Sequence, residues 1–180
     1  IYVLGRGELK KELMKYLRRE HKKRRVQGHS QKGQTANLPE MLSIEERPKE
    51  VEDRIIPGHW EGDIIIGGRM EQSAMGTLVE RTTRTVLLVP LKNKTAEEVR
   101  KAFTREIKKL PEQMRLTLTY DQGREMAQHK LFTKNTKMKV YFAHPRSPWE
   151  RGTNENTNGL IRQFFPKGTN FREVSRYRIK

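Results

Sequence analysis

The chain has no cysteine, which excludes disulfides, thiolate nucleophiles and zinc sites built on thiolates. It has no apolar run of the about 18 residues that a membrane span requires. It opens with no charged-then-apolar leader, so a soluble, cytoplasmic protein with no membrane partner is expected. Aromatic residues make up 7% of the 180 positions and hydrophobic residues 33%, which leaves room for one ordinary domain and no second full core. Acidic residues are also in deficit. Asp and Glu number 22 against 38 Lys and Arg, a net charge of +16, and such a field favours polyanionic partners, nucleic acid before a membrane surface. Any metal must be held by carboxylate or by one of five histidines.

What is present falls into three stretches. Residues 1–25 carry ten Lys or Arg against three Glu, with Leu9, Leu13, Tyr16 and Leu17 at helical spacing, and predict a basic helical arm. Residues 26–57 show no sustained periodicity and are punctuated by Pro39, Pro48 and Pro57, which predicts a linker. Residues 58–180 hold the folded core. There "HWEGDIIIGG" and "SAMGTLVERTTRTVLLVPL" predict a three-strand meander with a turn at Thr82–Arg84. Thr95 and Glu98 form a capping-box pattern ahead of Val99, Phe103, Ile107 and Leu110, stopped by Pro111. "RLTLTYD" predicts a strand ending at Asp121, "REMAQHKLF" a helix and "KMKVYFA" a short strand. Ser147, Pro148 and Glu150 stand at the N-cap, N1 and N3 of a last helix running to Pro166. The order β-β-β-α-β-α-β-α gives a mixed five-stranded α/β sheet flanked by helices.

Three carboxylates stand out on this framework. Asp63 lies in the first strand, Asp121 at the end of the fourth and Glu155 in the last helix, and neighbouring first and fourth strands would bring all three together. Such a cluster is costly without a cation, because like charges raise one another's pKa. Hard divalent ions relieve that cost, and two Mg²⁺, for which Mn²⁺ can substitute, would serve phosphodiester displacement. Each residue alone also has a plainer reading: a turn aspartate, or a solvated glutamate. The helix around Glu155, "ERGTNENTNGLIRQFFPKG", is rich in residues that form helices poorly. That points to contact with DNA: Asn154, Asn158 and Arg162 offer hydrogen bonds, and Arg146, Arg151 and Lys167 are assigned to phosphate.

The segments "GHWEGDIIIG", "GTLVERTTR", "LTYDQGREMAQHK" and "VYFAHPRSPWERGTNENTNGLIRQFFPKGTNF" closely resemble the catalytic region of bacterial insertion-sequence transposases of the insertion-sequence-thirty family. These are DDE transposases and integrases with a ribonuclease H-like core. The resemblance spans about residues 47–172. It implies that Asp63, Asp121 and Glu155 are the catalytic and metal-binding triad, with residues 122–154 between the last two, and that Arg162 is the basic residue seven positions after the glutamate. It further implies cleavage at transposon ends with Mg²⁺ and joining of the 3′-hydroxyl to target DNA, by a homodimer or larger assembly beside the nucleoid. The family's helix-turn-helix module and its later C-terminal helices are expected to lie outside these 180 residues. The loop holding His144 and Arg146 departs from the more acidic loop expected there.

Other residues are read more plainly. Glu61 shares a strand face with Asp63 and is expected to pair with an arginine before serving as an auxiliary ligand. His59, His129 and His144 lack metal-ligand spacing. Trp60 and Trp149 are expected to pack, with base stacking the lesser role. Two other functions stay open: a non-catalytic nucleic-acid-binding relic, for which basic charge suffices, and a ribonuclease acting on RNA–DNA hybrids with the same core.

Overall fold

The computed structural model describes residues 8–15, 38–68 and 73–179. The chain divides into two units, Ile1–Gln34 and Thr35–Lys180. In the first, helix α1 spans Glu8–Lys15 with Leu9 and Leu13 exposed. The rest of the expected arm, including Arg18–Arg25, and residues 26–37 lie outside the described residues.

The second unit is a six-stranded mixed sheet with helices on both faces. Strands β1 Leu42–Ser43, β2 His59–Ile66, β3 Ala74–Glu80, β4 Val86–Leu91, β5 Thr117–Tyr120 and β6 Lys139–Phe142 are ordered β1-β6-β5-β2-β3-β4. The β2-β3-β4 meander is antiparallel, and β2, β5, β6 and β1 run parallel. The sixth strand corrects the five-stranded expectation. β1 is two residues long, too short for alternation to be read from sequence, and it sits in the stretch read as a linker. The same stretch also folds into helix α2, Glu50–Asp53, which buries Val51.

Helix α3, Ala96–Ile107, begins where expected: the Thr95 side chain accepts from the Glu98 N–H. The reciprocal half of the box does not form, because the Glu98 carboxylate accepts from the Lys92 N–H. The segment "REMAQHKLF" breaks into a 3-10 turn at Arg124–Met126 followed by helix α4, His129–Thr136. Helix α5, Gly152–Phe164, is preceded by a 3-10 turn at Pro148–Arg151, and α6 spans Arg176–Ile179. The expected cap at Ser147 makes no side-chain hydrogen bond. Its partner in the expected box, Glu150, is engaged elsewhere and accepts from the His144 N–H and ring Nδ1, each within 2.8 Å.

Alternation along β2 gives the two faces different character. Trp60 and Ile64 turn to a large apolar core with Leu78, Phe103, Leu118, Tyr120, Phe132 and Phe142. On the opposite face stand Glu61, Asp63 and Ile65. Only Ile65 joins an apolar cluster there, with Met75, Ile161, Phe165 and Phe171. Glu61 and Asp63 make β2 polar on the rest of that face, and α5 lies on it.

Candidate active site

The ladder itself brings Asp63 and Asp121 together. β2 and β5 pair in parallel through Trp60 with Leu118 and Glu61 with Thr119. Two residues further along the same register, Asp63 stands level with Asp121 on neighbouring strands, which lie about 4.8 Å apart. Gly62 is required between Glu61 and Asp63, since a Cβ there would meet the Tyr120 ring at 2.8 Å.

Arg151, at the start of α5, bridges the two carboxylates. Its Nη2 donates to Asp121 Oδ2 at 3.1 Å, and its Nη1 lies 3.7 Å from Asp63 Oδ1 while donating to Gly62 O at 2.9 Å. Asp63 Oδ2 accepts from Asn158 Nδ2 at 2.8 Å, and Asp121 Oδ1 from the Gly123 N–H at 3.1 Å. Burial pushes the Asp63 carboxyl above its ordinary range; Arg151 and Asn158 oppose that rise, and the Asp121 charge adds to it.

Helix α5 is stitched lengthwise to β2. Besides Arg151 and Asn158, Asn154 Nδ2 donates to Glu61 O at 3.0 Å, and Arg162 Nη2 donates to Ile66 O at 2.7 Å. These tertiary bonds offset the weak helix propensity of Asn, Thr and Gly in this segment. Asn154, expected at a DNA surface, is corrected to an internal clamp: it is fully buried, its backbone N–H donates to Glu61 Oε2 at 2.8 Å, and its amide also faces Thr77. Asn158 and Arg162 are partly buried in the same seam. Arg146 and Lys167 are exposed.

Glu155 is exposed on α5. It lies four residues after Arg151 and three before Asn158, on the helix face that carries both contacts to the aspartates. Among the described residues no three carboxylate or imidazole groups are drawn to metal-holding distance, so the assembled feature is the aspartate pair, with Glu155 on the adjoining helix face. The donor chemistry nevertheless suits a hard divalent cation: paired carboxylate oxygens, with a third carboxylate on the covering helix.

Two features escaped the sequence reading. Glu125 is held above its ordinary range by burial, with the charges of Asp121 and Asp63 adding to it. Its carboxylate occupies the place of a Gly123 side chain, 2.3 Å from where that Cβ would be, so the glycine in "DQGRE" was the available signal. The second is a buried charged network beside the pair. Glu61 is 1% exposed and pairs with Arg81, 3% exposed, at 3.3 Å. Arg81 also meets Glu52, which pairs with Arg47, and Arg47 donates to Thr119 Oγ1 at 2.9 Å. Glu61 thus takes the expected arginine partner. A cleft of about 460 Å³ opens here, lined by Arg47, Glu61, Arg81, His144, Trp149 and Glu150. Trp60 packs fully, but Trp149 is 73% exposed, which corrects the expectation that it packs: it sits in the solvent-facing 3-10 turn ahead of α5.

His144 and Glu150 close the loop over this cleft. The Glu150 hydrogen bond, then its charge, raises the imidazole's pKa above its ordinary value. The folded value therefore exceeds the unfolded one, and the pair's contribution is complete below the unfolded pKa and is lost as pH rises through the folded one. In Glu150→Gln the His144 titration, followed by NMR, is expected to fall towards the ordinary midpoint of about 6.5. An unchanged midpoint would refute the pairing.

Residues 54–148 match the integrase core domain family. The chain is 52% identical over 171 residues to the transposase for insertion sequence element IS1086 of Cupriavidus metallidurans, covering 94% of this chain and 49% of that protein. It is 41% identical over 181 residues to transposase InsI for insertion sequence element IS30A of Escherichia coli, covering 99% and 47%. The chain thus spans about half the length of the curated relatives it matches. Among solved structures, a chain of the simian T-cell lymphotropic virus intasome in complex with PP2A regulatory subunit B56 gamma superposes with a TM-score of 0.52 at 20% identity, over 59% of this chain and 39% of that one. That likeness speaks to the fold, which is ribonuclease H-like. The register that sets Asp63 beside Asp121, the helix laid over them and the matched sequence together place this chain in the integrase core domain family, alongside the transposases of the insertion-sequence-thirty family.

Proposed function

We propose that this domain cuts DNA at insertion-sequence ends and joins the resulting 3′-hydroxyl to target DNA, with Asp63, Asp121 and Glu155 as its catalytic carboxylates. The observation that carries the reading is the aspartate pair on adjacent parallel strands beneath a helix that bears the third carboxylate. Asp63 and Asp121 would hold Mg²⁺, or Mn²⁺ in its place, and Glu155 would complete the ligand set for two ions. The bound ions supply Lewis acidity and an activated water or hydroxyl at neutral pH. The chain's own part is to fix the carboxylates: Asn158 orients Asp63, the Gly123 N–H orients Asp121, and α5 carries Glu155 along the same face. Arg146 and Lys167, exposed beside this helix, would contact phosphate, with Arg151, Asn158 and Arg162 at the seam. Transposon ends and target DNA are the proposed partners, engaged by a homodimer or larger assembly in the bacterial cytoplasm near the nucleoid. Among the described residues no helix is long and apolar enough to cross a membrane.

The test compares a supercoiled plasmid, a duplex oligonucleotide and an RNA–DNA hybrid, each with Mg²⁺ or with EDTA. Mg²⁺-dependent nicking of the DNA substrates is expected. Cleavage confined to the RNA of the hybrid would replace the proposal with a hybrid ribonuclease. Salt-sensitive DNA binding without any cleavage would replace it with a non-catalytic binder; electrostatic binding should lose affinity with a log-log slope of about −0.9 per phosphate neutralised.

A further inference from the structure

The guanidinium of Arg151 takes the place between two carboxylates that a divalent ion would need. It reaches Asp121 Oδ2 at 3.1 Å and Asp63 Oδ1 at 3.7 Å, and the Gly62 carbonyl anchors it to the strand that bears Asp63. The side chain is 14% exposed, its Nε has no hydrogen-bond partner among the described residues, and its Cζ lies 6.0 Å from the centre of the Tyr120 ring. One internal cation therefore already offsets half of the pair's negative charge. A dication and the guanidinium would compete for the same oxygens, because each is drawn by the same negative charge and they repel one another.

We propose that Arg151 is a positioning residue that competes with the divalent cation for Asp63 and Asp121, and that on displacement it binds a phosphate of the DNA strand being cut. The inference rests on the reading of those aspartates as metal ligands. An internal competitor weakens apparent affinity by the fraction of time the pair is free; a pair free for about a tenth of the time binds metal about tenfold more weakly. DNA relieves the competition by offering the guanidinium a phosphate, and in return metal loading releases Arg151 to the DNA. By linkage, each ligand then strengthens the other by the same factor. The site is thereby loaded most readily when both are present.

The test is Mn²⁺ affinity, read by electron paramagnetic resonance of the free ion, for the wild-type chain, Arg151→Gln and Arg151→Lys. Arg151→Gln is expected to bind Mn²⁺ about tenfold more tightly. A merely structural role predicts the opposite sign, since two carboxylates left without their bridge would lose their alignment, so unchanged or weaker binding overturns the proposal. Should Arg151→Gln fail to melt cooperatively, Arg151→Lys carries the test: it keeps the charge but loses the planar fork, and is expected to bind about threefold more tightly than wild type, with equal or weaker binding overturning the idea. DNA affinity with Ca²⁺ against EDTA is the second readout. Ca²⁺ should tighten DNA binding in the wild type by several-fold more than in Arg151→Gln, and equal gains would remove the phosphate half of the proposal. Asp63→Asn and Asp121→Asn separate the two levels. If neither alters Mn²⁺ binding, the reading of these residues as ligands has failed; if both abolish it while Arg151→Gln changes nothing, the competition alone has failed.

Discussion

Asp121→Asn is expected to lower Mg²⁺-dependent strand cleavage by about a thousandfold or more, on the order of 4 kcal/mol of transition-state stabilisation, while DNA affinity measured in EDTA stays within about twofold. The substitution is nearly isosteric. An Asn oxygen can still accept from the Gly123 N–H, which now reaches Asp121 Oδ1 at 3.1 Å, and Arg151 keeps its bond to Gly62 O. What disappears is one negative charge of the pair, and with it half the attraction for a dication. Asp63→Asn should behave alike, with its contact to Asn158 preserved by rotation of the amide. Plasmid nicking measures the loss and fluorescence anisotropy the binding. A variant that nicks at the wild-type rate would remove Asp121 from the chemistry, and parallel loss of cleavage and binding would make it a folding residue.

The second large effect concerns stability. Glu61→Ala is expected to cost about 3–5 kcal/mol, because removing one member of a buried pair leaves its partner's charge uncompensated. Arg81 would remain 3% exposed, with Glu52, itself 65% exposed, as its remaining carboxylate. The Asn154 N–H would lose its acceptor at the first turn of α5. A domain of this size loses roughly 2–4 °C of Tm per kcal/mol, so a fall of about 10 °C is expected by circular dichroism. Glu61→Gln, which keeps an acceptor for Asn154, should fall by less. A Tm within about 2 °C of wild type in Glu61→Ala would show that the network contributes little net stability, as some buried ion pairs do.

Local signals in the sequence were sufficient for elements whose causes are local. Thr95 and the 3.6-residue recurrence of Val99, Phe103 and Ile107 mark α3 within a residue of its start. The apolar run at Ile64 and the turn at Thr82–Arg84 mark the meander. The candidate site was legible as residue types: Asp63, Asp121 and Glu155 could be named, and the mixed order of strands and helices allowed the first and fourth strands to be neighbours. What could not be read depends on pairings between distant residues. Nothing near Asn154 says that its amide meets Glu61, 93 positions away, so its polarity pointed outward when the side chain is buried. Nothing near Glu150 says that it binds His144 in preference to Ser147. The two residues of β1 become a strand only because β6 offers them a parallel edge.

The lengthwise stitching of α5 to β2 also sets a schedule for the newly made chain. Residue 63 is synthesised about a hundred residues before Arg162, an interval of roughly 5–20 s at bacterial translation speeds. Throughout that interval β2 can form its meander with β3 and β4, yet the helix that covers its acidic edge does not exist. The aspartates can stand side by side as soon as β5 has joined β2, but Glu155 reaches their face only once α5 has cleared the ribosome, so on the proposed reading an emerging chain carries an incomplete set of carboxylates until translation of this region is complete.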